Sequence, residues 1–403
     1  MRVLLLSHSG GTGGATRSLQ AVAADLQSAG CEIRILAPDG NMHEEWQSGG
    51  INVTTWKPPY CPWFLGPVYS SGVVRFHPIL VALMVTLPLR MWSSLKILKE
   101  VLSKDSYDCI HINSLTLFPL AWVLPRVLRL QQQKPRVIWH LRELLNPSLI
   151  SPVRRMIVKM IGGCSDRIIA ITENEAEAFA HYSYTEVIYN TIPTRWSMSS
   201  DEDEKNQVKA EEVKVVMASA LSAGKGLKEY LDVAKKINKN HPNVHFDLLT
   251  PRPIDNFVSK FPVNKGTEDC VNQMLKGMEM LQFCDGITWK FGCAITPSLY
   301  RGYSIYVRPD RAACPWGRDI IEAMWMGMPV IATGSYDGFV VDGETGFLIP
   351  AEDQEALEEK IKMLVVNAEL RQRMSIASYE RARTLFAPEV HAEKIKAAFG
   401  LSA

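Results

Sequence analysis

The segment from Pro315 to Thr333 carries the residues of this chain that are best suited to binding a phosphate group. Gly317 precedes a predicted helix over Ile320–Met326, and Gly327 separates that helix from a predicted strand over Pro329–Ala332. The first amide groups of a helix have no acceptor within it and lie at the positive end of its dipole, so they attract anions. The segment therefore predicts a diphosphate site at the start of this helix.

Four residues near this helix start are the predicted ligand contacts. The guanidinium of Arg318 can form two parallel hydrogen bonds with a phosphate, and the backbone amides of Arg318, Asp319 and Ile320 would point at it. Glu322 lies about one helical turn further along, where its carboxylate can accept hydrogen bonds from ribose hydroxyls. The alternative for Glu322 is an ordinary surface acid.

Two further glycine-rich turns each follow a predicted strand and precede a predicted helix. One is Ser219–Gly226, with Lys225 at the helix entry, and the other is Ser9–Ala15, which contains Gly13 and Gly14. Glycine lets the backbone approach a ligand closely, so both turns predict contacts with a phosphate-bearing ligand. The dinucleotide fingerprint G-x-G-x-x-G is incomplete in the first turn of the chain, because its third position is not glycine. For each of these segments, the alternative is a tight turn that binds no ligand.

A fourth group of polar residues follows the predicted strand Arg136–Trp139. His140, Arg142 and Glu143 stand together there. Ligands of open α/β sheets bind at the carboxyl ends of the strands, so this group is a candidate part of a site. A histidine that only packs in the core is the alternative for His140.

Strand and helix patterns alternate along the whole chain, which predicts parallel sheets covered by helices on both faces. The predicted strands are Val3–Leu6, Glu32–Ala37, Ile51–Thr55, Asp108–Ile112, Arg136–Trp139, Arg167–Thr172, Glu186–Tyr189, Val213–Ala218, His245–Leu249, Ile305–Val307, Pro329–Ala332 and Phe347–Leu348. The predicted organisation is one Rossmann-like domain over 1–195, a charged linker over 196–212, a second Rossmann-like domain over 213–385 and a final helical segment over 386–403.

Composition places the chain among globular two-domain proteins, since it has 403 residues, of which 47% are hydrophobic and 22% charged. A net charge of +1 argues against a nucleic-acid partner. The eight cysteines form no C-x-x-C pair and no acidic cluster is evident, so no metal site or redox motif is expected. With no secretory leader recognised, the cysteines are expected to be free thiols in a reducing cytoplasm.

One uncharged run, Ile79–Leu89, lies within a region over 75–99 that is flanked by Arg75, Arg90, Lys96 and Lys99. The run is too short to span a bilayer. It predicts either a buried helix of the first domain or a peripheral contact with the inner face of a membrane. The first 200 residues carry more basic than acidic side chains, which suits an anionic acceptor or a membrane surface.

Taken together, these motifs resemble the family-4 retaining glycosyltransferases of the GT-B fold, also called glycosyl transferases group 1. The most specific match is the sequence IIEAMWMGMPVIAT with the later VVDGETGFLIP, and the resemblance extends to the early glycine loop, His140, the Asn190 turn and the Lys225–Gly226 turn. It implies two Rossmann-like α/β/α domains that face each other across a cleft. The first would bind the acceptor and the second a nucleotide-sugar, with the final helix crossing back to the first.

The resemblance also implies the reaction and the roles of the site residues. A glycosyl group would pass from a UDP- or GDP-linked sugar to a glycan, lipid-linked or small-molecule acceptor, in cell-surface polysaccharide or glycoconjugate synthesis. Transfer would retain the anomeric configuration and need no cofactor or bound metal. His140 and Glu322 are the expected catalytic residues, and Arg142 and Glu143 lie on the acceptor side. The expected donor contacts are Gly13, Gly14, Lys225, Gly317, Arg318, Asp319, Ile320 and Glu322.

Three positions depart from the pattern of this family. Cys314 replaces an acid eight positions before Glu322, Ala220 replaces an arginine before the Lys225 turn, and Gly338 replaces a glutamate. The first removes a contact that such enzymes often make with the donor sugar. Arg318 or Arg308 is the hypothesised replacement for the lost arginine charge.

Other functions remain open from the sequence. A sugar-nucleotide epimerase of similar shape would turn over without an acceptor. A sugar-nucleotide-binding protein without transferase activity is compatible with the acid missing at Cys314. In a dinucleotide-dependent oxidoreductase, Asp39 would bind the ribose, but the incomplete glycine fingerprint argues against this.

Overall fold

The computed structural model describes residues 1–61, 85–147, 149–193, 196, 212–219, 223–250, 287–291 and 295–401. The described residues up to Thr191, together with those from Glu389 onward, form one compact unit, and those from Ile192 to Pro388 form another. Most of the predicted linker over 196–212, the start of the 75–99 region and Ala220 lie outside the described residues.

The first unit is built on a seven-stranded sheet in which every neighbouring pair is parallel. Its strands are β1 (Arg2–Leu6), β2 (Glu32–Ala37), β3 (Asn52–Thr55), β4 (Cys109–Ile112), β5 (Arg136–Leu141), β6 (Arg167–Ala170) and β7 (Thr185–Val187). They lie in the order β3-β2-β1-β4-β5-β6-β7. Apolar residues fill the central strands because helices cover both faces of a parallel sheet.

Two hydrophobic cores separate the helices of this unit by face. The helices are α1 (Gly14–Ser28), α2 (Met42–Ser48), α3 (Leu87–Lys104), α4 (Leu120–Leu130), α5 (Ser151–Cys164) and the short α6 (Glu173–Ala176). Apolar side chains of α1 and α2 belong to one core, and those of α3, α4 and α5 to the other. Helices α3, α4 and α5 therefore form one layer on one face of the sheet.

The second unit repeats this architecture with a six-stranded parallel sheet. Its strands are β8 (Val213–Ala218), β9 (Val244–Thr250), β10 (Ile287–Phe291), β11 (Ile305–Arg308), β12 (Val330–Thr333) and β13 (Gly346–Ile349), in the order β10-β9-β8-β11-β12-β13. Its helices are α7 (Leu227–Asn240), α8 (Pro297–Tyr300), α9 (Arg318–Trp325), α10 (Gln354–Val366) and α11 (Ala368–Phe386).

These two parallel sheets confirm the predicted fold class of two Rossmann-like α/β domains. The sequence pattern did not predict β10, a short strand at the sheet edge whose polar and apolar residues alternate. Helix α9 begins at Arg318, two residues before the predicted start at Ile320. The difference matters, because it makes Gly317 the residue that precedes the helix.

The final helix, α12 (Pro388–Phe399), packs in the first unit although it follows the second along the chain. Ile395, Ala398 and Phe399 join the core that holds α1. Arg136 donates hydrogen bonds to the carbonyls of Phe399 (3.0 Å) and Ala398 (3.4 Å), at the negative end of the helix dipole. Burial of apolar side chains and this cap together hold the helix in place.

We expect Phe399→Ala to destabilise the first unit by about 3–4 kcal/mol, because the ring is 1% exposed and its loss leaves a cavity. Hydrogen exchange of the amides of β1 and β4 measures this loss directly. Val366→Ala is the matched control, since Val366 is 68% exposed on α10 and its truncation should change stability by less than about 0.5 kcal/mol. Equal exchange rates in the two variants would contradict a structural role of α12.

Candidate functional site

In each sheet, the order of the strands reverses direction at one point. In the second unit the chain runs from β8 outward to β9 and, later, from β11 outward to β12, so β8 and β11 are neighbours at the reversal. In the first unit the corresponding neighbours are β1 and β4. Ligands of open α/β sheets bind beside the carboxyl ends of such strands, because the loops that follow them diverge there. Both units therefore have an edge at which polar residues can meet a ligand.

The loops after β8 and β11 interlock at this edge of the second unit. The amide of Arg311 donates to the carbonyl of Gly224 over 2.9 Å. Gly226 adopts the left-handed conformation with φ of 71°, and a Cβ atom there would lie 1.8 Å from the carbonyl oxygen of Pro309. Only glycine satisfies both conditions, so the Lys225–Gly226 turn is fixed against the loop that follows β11.

Lys225 is held by a carboxylate that the sequence analysis did not identify. Its Nζ lies 2.6 Å from Oδ2 of Asp310, whose side chain is only 3% exposed. Oδ1 of Asp310 accepts a hydrogen bond from the amide of Ala312 (2.9 Å). The side chain of Lys225 is 27% exposed, so its ammonium group is fixed at the strand edge yet accessible to a ligand.

Arg308 is the other cation at the end of β11, and its charge is neutralised within the protein. Its guanidinium contacts the carboxylate of Asp319 and lies 3.5 Å from that of Asp310. These two carboxylates raise the pKa of Arg308 above its ordinary value, although burial opposes the rise. Oδ2 of Asp319 also lies 2.9 Å from the hydroxyl of Tyr306. Arg308 and Asp319 thus brace the start of α9 from inside.

The start of α9 presents its first amides just in front of this internal pair. Gly317 has no room for a side chain, since a Cβ atom would lie 2.4 Å from Nη1 of Arg308 and 2.6 Å from Oδ1 of Asp319. The amides of Arg318, Asp319 and Ile320 have no acceptor within the helix, as in any first turn. Gly317 therefore allows Arg308 and Asp319 to pack closely against the helix start, whose amides are of the kind that can bind an anion.

Arg318 and Glu322 lie one turn apart on α9 and face each other. Nη2 of Arg318 is 4.0 Å from Oε1 of Glu322, and the two side chains are 14% and 9% exposed. Glu322 is therefore a largely buried acid rather than a surface acid. The structure brings together Lys225, Gly317, Arg318, Asp319, Ile320 and Glu322 around one edge of the second sheet.

The loop over 310–316 is tightly folded against the end of β12. Thr333 Oγ1 donates to the carbonyl of Asp310, and Ala313 adopts a left-handed conformation with φ of 53°. Such a conformation costs a residue other than glycine about 1–2 kcal/mol. Cys314 is buried, and its Sγ contacts the carbonyl of Ala312 at 3.1 Å. The acid of the family pattern is thus replaced by a thiol that packs inside the loop.

In the first unit, Asn113 connects the glycine loop to Arg142. Its Nδ2 donates to the carbonyl of Ala15 (3.1 Å), and its Oδ1 accepts from Nε of Arg142 (2.8 Å). Nη1 of Arg142 donates to Oδ1 of Asn190, also over 2.8 Å. Asn113 follows β4, so the loops after β1, β4, β5 and β7 are joined in one polar network.

Gly13 and Gly14 lie at the start of α1, beside this network. Thr16 anchors the loop, because its Oγ1 accepts from the amide of Gly13 (2.9 Å) and donates to the carbonyl of Gly11. A side chain at Gly14 would meet no atom within 4 Å, so this residue lies open to solvent. Their assignment to the donor stays a prediction.

Glu143 is buried beneath the same edge. Its carboxylate accepts hydrogen bonds from the amide of Leu115 (2.8 Å) and from the hydroxyl of Ser114 (2.9 Å). Burial raises its pKa to about 7, because the hydrogen bonds and Arg142 only partly offset the loss of water. Glu143 therefore titrates near neutral pH inside the first unit.

His140 points inward rather than toward the edge. It is 0% exposed, and its Nδ1 lies 3.2 Å from Nε2 of His111 in an edge-to-face ring pair. Burial and the nearby charge of Arg142 hold the pKa of His140 well below its ordinary value, so the ring is neutral. The catalytic role predicted for His140 stays a prediction, and the observed contacts support a structural role beside Arg142.

Within the described ranges, no group of three or more His, Cys, Asp or Glu side chains is arranged to hold a metal ion. Among the same residues, no helix is both long and apolar enough to cross a membrane. Of the apolar run over 79–89, residues from Val85 onward are described, and Val85 and Leu89 are 73% and 70% exposed. The described end of the run is therefore not a buried core helix.

Sequence reasoning missed Asp310 and Tyr306 as parts of this site. Asp310 could have been found as an acid directly after the Val307–Arg308–Pro309 strand end, where a partner for Lys225 would lie. Tyr306 lies inside β11, and no local pattern marks a strand tyrosine as a support for a helix start.

The comparisons with known families cover almost the whole chain. Residues 12–196 match the model of Glycosyltransferase Family 4, and residues 198–381 match the model of Glycosyl transferases group 1. Among curated relatives, the phosphatidyl-myo-inositol mannosyltransferase of Mycobacterium leprae (strain TN) is 36% identical over 86 residues, which are 21% of this chain and 23% of that protein. The capsular polysaccharide biosynthesis glycosyltransferase CapM of Staphylococcus aureus is 30% identical over 105 residues, 25% of this chain and 27% of that protein. The matched stretch thus spans about a quarter of each curated relative.

Solved structures share the fold over the full length. The Anabaena protein HepE in complex with UDP superposes with a TM-score of 0.72 at 19% identity, covering 99% of this chain and 100% of that one. A glycosyltransferase from Rickettsia africae has a TM-score of 0.72 at 16% identity, covering 100% and 99%. Because the two family models together account for nearly all of residues 12–381, the chain belongs to the family-4, or group 1, glycosyltransferases with the GT-B fold.

Proposed function

We propose that this glycosyltransferase binds the diphosphate of a nucleotide-sugar at the start of α9 in its second unit and transfers the sugar with retained configuration. The observation that supports the proposal most strongly is the position of α9. Its first turn, Lys225 and Glu322 lie together beside the reversal point of the sheet. A diphosphate leaving group needs positive potential at this kind of position.

The charges of the site support a large contribution of the helix start to diphosphate binding. Lys225, Arg308 and Arg318 are matched by three carboxylates, those of Asp310, Asp319 and Glu322. The side chains alone therefore offer little net attraction for a diphosphate. The backbone amides at the start of α9 would add a positive end of the helix dipole, and Asp319, the acid in this first turn, is itself paired with Arg308. Lys225 and Arg318 would turn toward the diphosphate as it arrives.

This arrangement favours one of the two hypothesised replacements for the arginine that is missing at Ala220. Arg308 is bound to Asp319 and buried, so it positions the helix start and does not contact the diphosphate. Arg318 is the better replacement, because its side chain lies on the first turn of α9 itself. Neutralisation of the leaving group by Lys225, Arg318 and the amides would make a bound metal unnecessary.

The donor and acceptor classes follow from the relatives. The Anabaena protein was solved with UDP, with UDP-glucose, and with UDP and glucose, which supports a UDP-linked donor over a GDP-linked one. The curated relatives are named for mannosyl transfer to phosphatidyl-myo-inositol and for capsular polysaccharide biosynthesis. We therefore propose a glycan or lipid-linked acceptor in cell-surface glycoconjugate synthesis, with the enzyme acting in the cytoplasm.

Product analysis separates this function from the alternatives. The enzyme, incubated with UDP-glucose and an acceptor extract, should form an α-linked product, since retention preserves the donor configuration. Conversion of the nucleotide-sugar to its epimer without acceptor would identify an epimerase instead. Donor binding without any transfer would identify a sugar-nucleotide-binding protein.

Lys225→Ala should weaken UDP binding about tenfold, because one charge-assisted contact with phosphate contributes about 1.5 kcal/mol. Isothermal titration calorimetry with UDP measures the change. Lys228→Ala is the matched control, since Lys228 lies one turn away on α7 and is 62% exposed beside Asp232. An equal loss of UDP affinity in the two variants would contradict a direct contact, because Lys225 would then contribute only to the overall positive charge of the protein.

Glu322→Gln should separate ribose binding from diphosphate binding. We expect about a tenfold loss of affinity for UDP, because a charged acceptor of ribose hydroxyls is removed, and no loss for inorganic pyrophosphate. Glu344→Gln, an exposed acid in the same unit, should leave both affinities unchanged. A parallel loss for UDP and pyrophosphate would instead assign Glu322 to holding Arg318.

Glu143→Gln should flatten the dependence of stability on pH. The folded pKa of about 7 exceeds the ordinary value of 4.5, so the folded state binds more protons between these values and loses stability as pH rises through them. The loss is on the order of 1–3 kcal/mol and should be absent in the variant. Thermal unfolding of the first unit at pH 5 and pH 8 tests this, and an equal pH dependence in both proteins would contradict the assignment.

A further inference from the structure

We propose that the outer face of helices α3, α4 and α5 is a docking surface for a bilayer that contains anionic lipids. The proposal concerns the first unit alone and does not depend on the donor site. It goes beyond the apolar run of the sequence, because two of the three helices lie outside that region.

Helix α3 presents a continuous exposed stripe that changes from apolar to basic along its length. Val85, which lies two residues before α3 begins, is 73% exposed. Within α3, Leu89 and Trp92 are 70% and 67% exposed, and Lys96 and Lys99 continue the same spacing. Steps of three and four residues place these side chains on one side of the helix. The opposite side, with Leu98, Val101 and Leu102, is buried in the core.

Helices α4 and α5 continue this surface beside α3. Trp122 is 54% exposed, and the guanidinium of Arg126 lies 4.2 Å from the centre of its ring. On α5, Arg155, Met156 and Lys159 line a shallow depression of the surface, with Met156 47% exposed. Each helix therefore exposes a large apolar side chain next to a cation.

Charge is separated between the two faces of this unit. Helices α3, α4 and α5 carry four, two and three basic residues and a single acid, Glu100, which pairs with Lys104 over 2.7 Å. On the other face, α1, α2 and α12 carry five acids against three basic residues. The face formed by α3, α4 and α5 is therefore strongly basic, although the net charge of the whole chain is close to zero.

This combination fits a lipid surface better than the other polyanions. Lysine and arginine gain from the negative potential of anionic headgroups, and tryptophan is favoured at the boundary between headgroups and acyl chains. Exposed leucine, valine and methionine gain nothing from a nucleic acid, whose recognition uses cations and stacking aromatics. An acyl boundary accepts all of these side chains at once.

Flotation of the full chain with vesicles tests the proposal. The protein should bind vesicles of phosphatidylcholine with phosphatidylglycerol and not vesicles of phosphatidylcholine alone, and high salt should release it, since salt screens the attraction. The triple variant Arg126→Gln, Arg155→Gln and Lys159→Gln should bind at least about tenfold more weakly. The double variant Trp92→Ala and Trp122→Ala should also lose binding, with the loss of interfacial anchors.

The control variant removes the same number of positive charges from helices outside the docking surface. Lys235→Gln, Lys239→Gln and Lys394→Gln alter exposed lysines of α7 and α12, and this variant should bind vesicles like the unaltered protein. Unchanged thermal unfolding and UDP affinity in every variant would show that only the docking surface was altered. Three results would overturn the proposal: no binding to the anionic vesicles, an equal loss in the control, or binding through the same residues to a DNA oligonucleotide but not to vesicles.

Discussion

The interlock between the loops after β8 and β11 is the constraint on which the proposed donor site depends. Asp310, in the loop after β11, forms an ion pair with Lys225, in the loop after β8. Gly226 allows this turn to approach the carbonyl of Pro309. The same strand end supplies Arg308, which braces Asp319 and hence the first turn of α9. Two loops from distant parts of the sequence are thereby fixed around one helix start.

The site reaches its proposed affinity for a diphosphate in spite of its carboxylates. Asp310 and Asp319 neutralise cations that would otherwise repel one another at the strand edge, so the folded protein remains stable without ligand. Their pairing also keeps Lys225 and the first turn of α9 at this edge of the sheet. In the proposed function, an anion binds to the preorganised amides, which need no rearrangement when the ligand arrives. In the first unit, the neutral side chain of Asn113 joins the charged Arg142 to the glycine loop.

Local patterns predicted the features of the fold that depend on neighbours in sequence. Strand and helix periodicity gave two parallel sheets, and Gly317 with the Ile320–Met326 pattern located the helix start within two residues. The partnership of Lys225 with Asp310 could not be predicted, because the residues are separated by 85 positions and meet only through the register of β8 and β11. For the same reason, charge alone made Arg308 a candidate for phosphate binding, whereas the fold turns it toward Asp319. The orientation of His140 could not be predicted either. The sequence of a histidine at a strand end is the same whether its side chain faces a ligand or, as here, packs against His111.

In the proposed donor site, the start of α9 and the Lys225 turn bind the diphosphate. Hydrogen exchange with and without UDP tests it directly, because a bound phosphate slows the exchange of amides that donate to it. We expect slower exchange in peptides that cover residues 317–326 and 223–230, with little change at β13. Protection confined to the glycine loop over 9–15, or no protection in either peptide at saturating UDP, would contradict it.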